Sequence, residues 1–424
     1  MTIYSTPGSA DRFPARAIVV GGGPVGCLAA AMLARHGFEV DVCERRPSFL
    51  QHGFGDEGRT INLSVSPRGM RALAKVGCRQ DFADAAMPMD RRVVHTRDRQ
   101  VLITRYEQPG WRNHSIARNE LNLLLLRNAQ RRPGVRVHFS TACASIDFDR
   151  REAVFATSAG EQVRPYHLLV AADGAHSQVR AAMLDSGLLT CQQTTLDARY
   201  RELTLRPAEP GRLSRSAIHV WPREGFFLCA LPNVDGTFRA TLVLPAEGQA
   251  SFEEIRRTGL RNLVRRHFGD TVPDIDWHTA QSRDAPPARM EQILSSTLHY
   301  RNSVVLAGDA AHTMAPFLGQ GINAGFEDLI TLDNVLARAH PGGLGAALSE
   351  YSRERKAQGD AAAMLSMTNY RELTAQTGDG RPPAPVSGLP LPIVINFLGL
   401  SYQEVLRQHL TIDGLVPSSI ATGS

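Results

Sequence analysis

The chain has 424 residues, 43% hydrophobic and 21% charged, enough for two or three packed units around a large core. Its net charge of +5 is modest; of 47 basic residues only Lys75 and Lys356 are lysines, and the 45 arginines are scattered without a basic block, so no nucleic-acid partner is expected. Cys27, Cys43, Cys78, Cys143, Cys191 and Cys229 form no C-x-x-C and no pairing with histidine, which suits reduced thiols in a cytoplasmic protein and argues against a disulfide scaffold or a zinc site.

Residues 1–14 read as a disordered lead-in, and no secretory signal precedes the first apolar run. That run, AIVVGG at 17–22, reads as a buried parallel strand, and Gly21-Gly22-Gly23-Pro24-Val25-Gly26 fits G-x-G-x-x-G. A helix of small residues follows and closes on Gly37; a second strand at 38–43 ends at Glu44, about twenty residues past the glycines. Gly21 permits the tight turn, Gly23 lets backbone approach a pyrophosphate, Gly26 lets helix and strand pack, and Glu44 is placed to accept from ribose hydroxyls, with Arg45 beside it. NAD and FAD sites share this arrangement.

At 168–180, LLVAADGAHSQVR reads as a strand, an Asp173-Gly174 turn and a helix opening at Ser177. Strand-like runs at 198–205, 216–222, 225–232 and 237–245 alternate with turn signals such as Asn233-Val234-Asp235-Gly236, and 251–268 reads as one amphipathic helix. A third strand–turn–helix follows: the apolar run 303–308 ends in Asp309, and a loop from Pro316 to Gly321 offers unobstructed backbone N–H groups before a helix starting near Asn323. From 350 the pattern is helical, with a Gly/Pro-rich loop at 377–392. The late apolar run 389–400 is too short and too proline-broken to span a bilayer, so no membrane anchor is expected.

The three turns together resemble the flavin-contacting motifs of the group A flavoprotein hydroxylases. Further segments narrow the resemblance to the kynurenine 3-monooxygenase family: GRTINLSVSPRGMRAL (58–73), HVWP and ALPN (219–233), PFLGQGINAGFED (316–328) and LSMTNYREL (365–373). The resemblance implies an α/β fold, a Rossmann-like FAD-binding domain with an inserted β-sheet substrate domain (p-hydroxybenzoate hydroxylase-like) and C-terminal helices. The expected boundaries are 15–75, 110–180 and 285–345 for the FAD domain, 76–109 and 181–284 for the substrate domain, and 346–424 for the helical region.

It implies FAD as cofactor, NADPH or NADH as reductant, and insertion of one oxygen atom from O2 into an aromatic ring through a C4a-hydroperoxyflavin. The flavin carries that chemistry, so no catalytic side chain and no metal is expected. The partners are O2 and a small aromatic, amino-acid-like substrate, L-kynurenine or a close derivative. The alternatives are an indole- or tryptophan-derived substrate or, in another class, a flavin-dependent reductase or non-oxygenating flavoprotein.

Carried over by motif, Arg92, Tyr106, Phe317 and Asn369 are the expected substrate contacts. Gly21, Gly23, Val25, Gly26, Glu44, Arg45, Arg59, Arg118, Asp173, Asp309, Gln320, Gly321, Ile322 and Asn323 are the expected cofactor contacts. His312 is read as a structural or flavin-edge residue. The chain departs from the family pattern at Asp90-Arg91, just before Arg92, and in lacking a clear counterpart of a C-terminal substrate-contacting tyrosine, for which Tyr402 is the candidate stand-in. Oligomeric state is not written in these motifs.

Overall fold

The apolar run Arg16–Val20 carries four consecutive buried residues, as a strand covered on both faces requires. In the computed structural model, which describes residues 16–49, 61–106, 108, 110–207, 209, 211–269, 271, 272, 275–277, 287–375 and 390–412, this strand lies inside a six-stranded sheet. The order is His299–Tyr300, Val304–Leu306, Leu168–Ala171, Arg16–Val20, Glu39–Cys43 and Val135–His138. All neighbours run parallel except the His299–Tyr300 edge. Parallel register brings the carboxyl ends of three motif-bearing strands side by side. Ala172 N–H donates to the Val20 carbonyl and Ala307 N–H to the Ala171 carbonyl, each at 2.9 Å, so the three following turns line one edge.

Helix Pro24–Arg35 is buried at nine of its twelve positions, because it is covered by the sheet on one side and by helix Gly321–Arg338 on the other. Small residues allow the approach. A Cβ on Gly325 would stand 3.0 Å from Val25 Cγ2 and 3.1 Å from Gly308 Cα.

An eight-stranded sheet forms the second layer, ordered His312–Thr313, Ala288–Ser295, Cys191–Leu205, Phe238–Pro245, Phe226–Pro232, Ala217–Arg223, Arg91–His95 and Val101–Arg105. Period-two alternation splits its side chains. One face buries Leu203, Trp221, Phe226, Phe238 and Leu242 against the helices Phe252–Thr258 and Leu260–His267. The other turns Val220, Phe227 and Val243 towards Phe317 and the long helix Leu344–Thr374. A small sheet of Asn62–Val65, Asn113–Ala117 and Met87–Met89 bridges the two layers, with Asn62 Nδ2 donating to Asn233 Oδ1 at 2.7 Å.

Three features differ from the sequence reading. The helix expected over 251–268 is two helices, broken at Gly259, whose φ of +88° no helical residue adopts. Strand Ala288–Ser295, expected with the cofactor domain, pairs with Cys191–Leu205 in the larger sheet. A three-stranded antiparallel sheet over 142–165 gave no sequence signal, because a strand such as Gly160–Pro165 is exposed at five of six positions and shows no apolar alternation. The late apolar run forms helix Leu391–Phe397, with Pro392 in the first turn where its missing N–H costs no bond; residues 376–389 lie outside the described residues. Among the described residues no helix is long and apolar enough to cross a membrane.

Behind the larger sheet sits a buried imidazole pair. His219 Nε2 lies 3.0 Å from the Ser214 carbonyl, so it donates there, and its Nδ1 accepts from His95 Nε2 at 2.9 Å. His95 stacks on Trp221 at 4.4 Å, and burial, with the neighbouring His219 and Arg223, holds His95 down at about 3; burial holds His219 at about 4. Both rings fold neutral, and the unfolded chain takes up their protons below about pH 6.5. Their stabilising contribution is therefore full above about pH 6.5 and falls as pH drops towards the folded values. We expect the Tm of His95→Gln to depend less steeply on pH between 6.5 and 4 than that of the wild type; equal slopes would contradict the neutral pair.

Candidate functional site

The site grows from the three turns. At the first, Gly21 has φ of +103°, and a Cβ there would meet the Ala172 carbonyl oxygen at 2.5 Å; one on Gly26 would stand 1.9 Å from the Gly21 oxygen. Gly23 differs: a Cβ would meet nothing within 4 Å, so its face is open space above the start of helix Pro24–Arg35. That helix has no capping side chain and no acid in its first turn, leaving its N–H groups available to an anion. Glu44 is buried and accepts from Gly22 N–H at 2.7 Å and Arg46 N–H at 2.9 Å. Burial pushes its carboxyl up, but the Arg46 guanidinium, Nε at 2.8 Å, and these backbone donors prevail and hold it below the usual range. Arg46 is the arginine on Glu44; Arg45, expected as a cofactor contact, is exposed.

At the second turn, Asp173 Oδ2 accepts from Gln178 N–H at 2.7 Å, while its buried Oδ1 has no partner. Burial raises this carboxyl against its hydrogen bonds with Ser177 and the backbone. At the third, Asp309 sits on a short 3-10 turn, and no hydrogen bond engages its carboxylate among the described residues. A Cβ on Gly321 would lie 3.8 Å from Asp309 Oδ1, so the acid stands over the N-terminus of helix Gly321–Arg338. This helix too lacks a capping side chain and first-turn acids.

Arg180, mentioned in the sequence only as part of its motif, joins the second and third turns. Its guanidinium donates to the carbonyls of Asp309 at 3.1 Å, Ala310 at 3.0 Å and Ala175. Open glycine backbone, two uncapped helix N-termini, an unpaired carboxylate and an orphaned acceptor fit a long, polar, phosphate-bearing cofactor of the FAD kind.

Other expected cofactor contacts divide. Ile322 lies in the first turn of its helix and offers backbone N–H, as does Gly321. Val25 packs on Gly308 and Gly325 and acts as a spacer between motifs. Asn323 uses its side chain internally, accepting from Ser66 N–H at 2.9 Å and donating to the carbonyls of Ser64 and Gly319. Gln320 is likewise committed, to Asn396 and Tyr402. Arg118 is exposed at the start of helix Arg118–Gln130, and Arg59 lies outside the described residues.

The second half of the site faces the larger sheet. Arg92 is partly buried, on the sheet face it shares with Ile218 and close to Cys229. Burial lowers its pKa, opposed by Tyr106, Cys229 and Glu372, and none of its hydrogen bonds or ion pairs falls on a described residue. Burial pushes the Tyr106 hydroxyl up to about 12 against the pull of Arg92 and Asn113. Phe317 stacks on Tyr370 at 4.2 Å and meets Phe227 edge-on at 6.0 Å, so three aromatic rings cluster on this face of the sheet. Sequence reasoning missed Tyr370 and Phe227, although Tyr370 adjoins Asn369 in the quoted motif. Asn369 Nδ2 donates to the Phe317 carbonyl at 2.7 Å and ties the long helix to the loop.

Comparison with known proteins agrees with this geometry. Residues 15–366 match the FAD binding domain family. Kynurenine 3-monooxygenase of Salinispora arenicola is 39% identical over 375 residues, covering 86% of this chain and 81% of that protein. The Stenotrophomonas maltophilia enzyme of the same name is 34% identical over 429 residues, covering 95% and 91%. The chain belongs to the kynurenine 3-monooxygenase family. It is an FAD-dependent monooxygenase of the aromatic-hydroxylase fold. Among solved structures, p-nitrophenol 4-monooxygenase of Pseudomonas putida superposes with a TM-score of 0.70 at 21% identity, covering 94% of this chain and 97% of that one.

Against that family, the two departures seen in the sequence have structural answers. Asp90 is neutralised by its own neighbour, Arg91, with Nε–Oδ1 at 2.6 Å and a second contact at 3.2 Å. That bond holds the Asp90 carboxyl below its usual range, and Arg92 on the opposite face of the strand has no ion pair among the described residues. Tyr402 does not stand in for a substrate contact: it is fully buried, its hydroxyl donates to Gln320 Oε1 at 2.9 Å, and Arg68 covers its ring at 4.5 Å.

The glycine and carboxylate geometry yields a paired expectation. Gly23→Val fills the open cradle without a clash, so the protein folds with an unchanged Tm for its apo form yet retains little FAD, measured by absorbance per protein. Asp309→Ala removes an unpartnered acceptor and also lowers FAD retention, whereas full yellow occupancy in either variant would contradict the assigned cradle.

Proposed function

We propose that this protein hydroxylates L-kynurenine, or a close derivative, at the expense of NADPH or NADH. The observation that carries the reading is Arg92: a guanidinium enclosed by protein, beside Tyr106, with no ion pair among the described residues. Such a group is costly to bury unless an anion meets it. A planar guanidinium takes a carboxylate through two parallel bonds, and the Tyr106 hydroxyl, held protonated, can donate to the same group. The remaining amide oxygen of Asn369 accepts from no described residue and is available to an α-ammonium group. Phe227, Phe317 and Tyr370 supply flat apolar walls for an anthraniloyl ring.

FAD, reduced by the nicotinamide, supplies the oxygen-transfer chemistry. The chain's own residues bind and orient the amino acid, hold the ring against the Phe317 loop and exclude water from the chamber. The names of the curated relatives support kynurenine as substrate.

The reading is tested by NADPH oxidation of the FAD-loaded protein with and without L-kynurenine, following product mass. Stimulated oxidation with one added oxygen atom is expected; no stimulation would discard kynurenine. Arg92→Ala should raise KM for L-kynurenine by roughly 10- to 150-fold, the loss of about 1.5–3 kcal/mol for a charged hydrogen bond, with FAD content unchanged. An unaltered KM would remove Arg92 from the site.

A further inference from the structure

Helix Leu391–Phe397 touches both halves of the site through two adjacent residues. Phe397 packs on the Tyr106 ring at 4.6 Å and stacks on Trp111 at 5.0 Å with an interplanar angle of 12°. One residue earlier, Asn396 Oδ1 accepts from Gln320 Nε2 at 3.0 Å. Gln320 is the N-cap residue of helix Gly321–Arg338, whose uncapped first turn faces Asp309. Its other side-chain atom accepts from Tyr402 in the last helix, so both ends of the Gln320 amide answer to the C-terminal helices. The backbone of the short helix is itself gripped: Arg68 Nε donates to the Ile395 carbonyl at 2.9 Å and its other nitrogen to Leu400 O.

We propose that helix Leu391–Phe397 couples substrate occupancy to the cofactor loop, with Asn396 as the positioning residue. The inference rests on the substrate reading above. An amino acid drawn to Arg92 meets Tyr106, and Tyr106 bears on Phe397. A rigid seven-residue helix cannot shift Phe397 without moving Asn396, and Asn396 sets the Gln320 amide at the start of the cofactor helix. Such a coupling is a difference in how tightly two states are held, and it acts in both directions.

The experiment uses the FAD-loaded full chain and L-kynurenine as probe. Flavin reduction by NADPH is followed by rapid mixing with and without kynurenine, and kynurenine binding is read separately from tryptophan fluorescence, with Trp111→Phe as the control for which indole reports. In the wild type, saturating kynurenine is expected to accelerate reduction about tenfold or more. In Asn396→Ala the acceleration collapses to about twofold or less, while the kynurenine Kd stays within about threefold, because the substrate contacts are intact. Asn396→Asp, which keeps the acceptor facing Gln320 Nε2, restores most of the acceleration. Phe397→Leu, which keeps apolar fill but loses the ring stack, gives the same loss from the other end and keeps the test open should Asn396→Ala not fold.

Full acceleration in both Asn396→Ala and Phe397→Leu overturns the coupling and leaves the substrate reading untouched. Absence of kynurenine binding in the wild type overturns the substrate reading, and this inference falls with it.

Discussion

Arg180 reaches across from the Asp173 turn and donates to the backbone carbonyls of Asp309, Ala310 and Ala175. Among the described residues its hydrogen bonds go to peptide carbonyls, and the nearby Asp173, Asp309 and Glu291 carboxylates favour its charge. Removing it would take a donor from the Ala310 and Ala175 carbonyls, while the Asp309 carbonyl keeps Thr313 Oγ1. The parallel sheet brings these turns within reach of one another, and Arg180 sets their separation. Arg180 ties the second of these turns to the third.

A second constraint lies behind the third turn. Asp328 is fully buried and accepts from Gly308 N–H at 2.8 Å, from His312 Nε2 at 2.8 Å and from Arg355 Nε at 2.7 Å. Burial opposes charge on His312, but Asp328 prevails and raises its pKa; burial likewise opposes Asp328, and the two cations hold its carboxyl low. Gly359 fits only because it has no side chain: a Cβ would stand 2.6 Å from His312 Cδ2. The Asp309 turn is thus hung on a buried ion cluster anchored in the long helix Leu344–Thr374. His312, read in the sequence as a structural or flavin-edge residue, is held inside this cluster.

The substrate half obeys the opposite rule. The cofactor edge leaves acceptors open, Asp173 Oδ1 and the Asp309 carboxylate, whereas the aromatic half holds a cation, Arg92, without an ion pair among the described residues. Alternation along Arg91–His95 decides this: Arg91 turns to Asp90, and Arg92 turns inward beside Tyr106. The acid next to Arg92 on this strand, Asp90, is already answered by Arg91.

Sequence by itself determined the cofactor architecture. Gly21, Gly23 and Gly26, the acid at Glu44 and the turns at Asp173 and Asp309 are local signals, because each requirement is met within one strand–turn–helix unit and leaves its mark as residue type and spacing. Four strands of the larger sheet, read at 198–205, 216–222, 225–232 and 237–245, were legible for the same reason, by period-two alternation. Tertiary structure decided the rest. Whether Gln320 and Asn323 face a ligand or the interior, and what the Tyr402 hydroxyl meets, depend on partners far away in the chain, such as Asn396 and Ser66. A side chain with two hydrogen-bonding ends can serve either neighbour, and only packing selects which one. Gly259 broke an apolar pattern that spoke for a single helix, since periodicity records burial and cannot record a backbone φ.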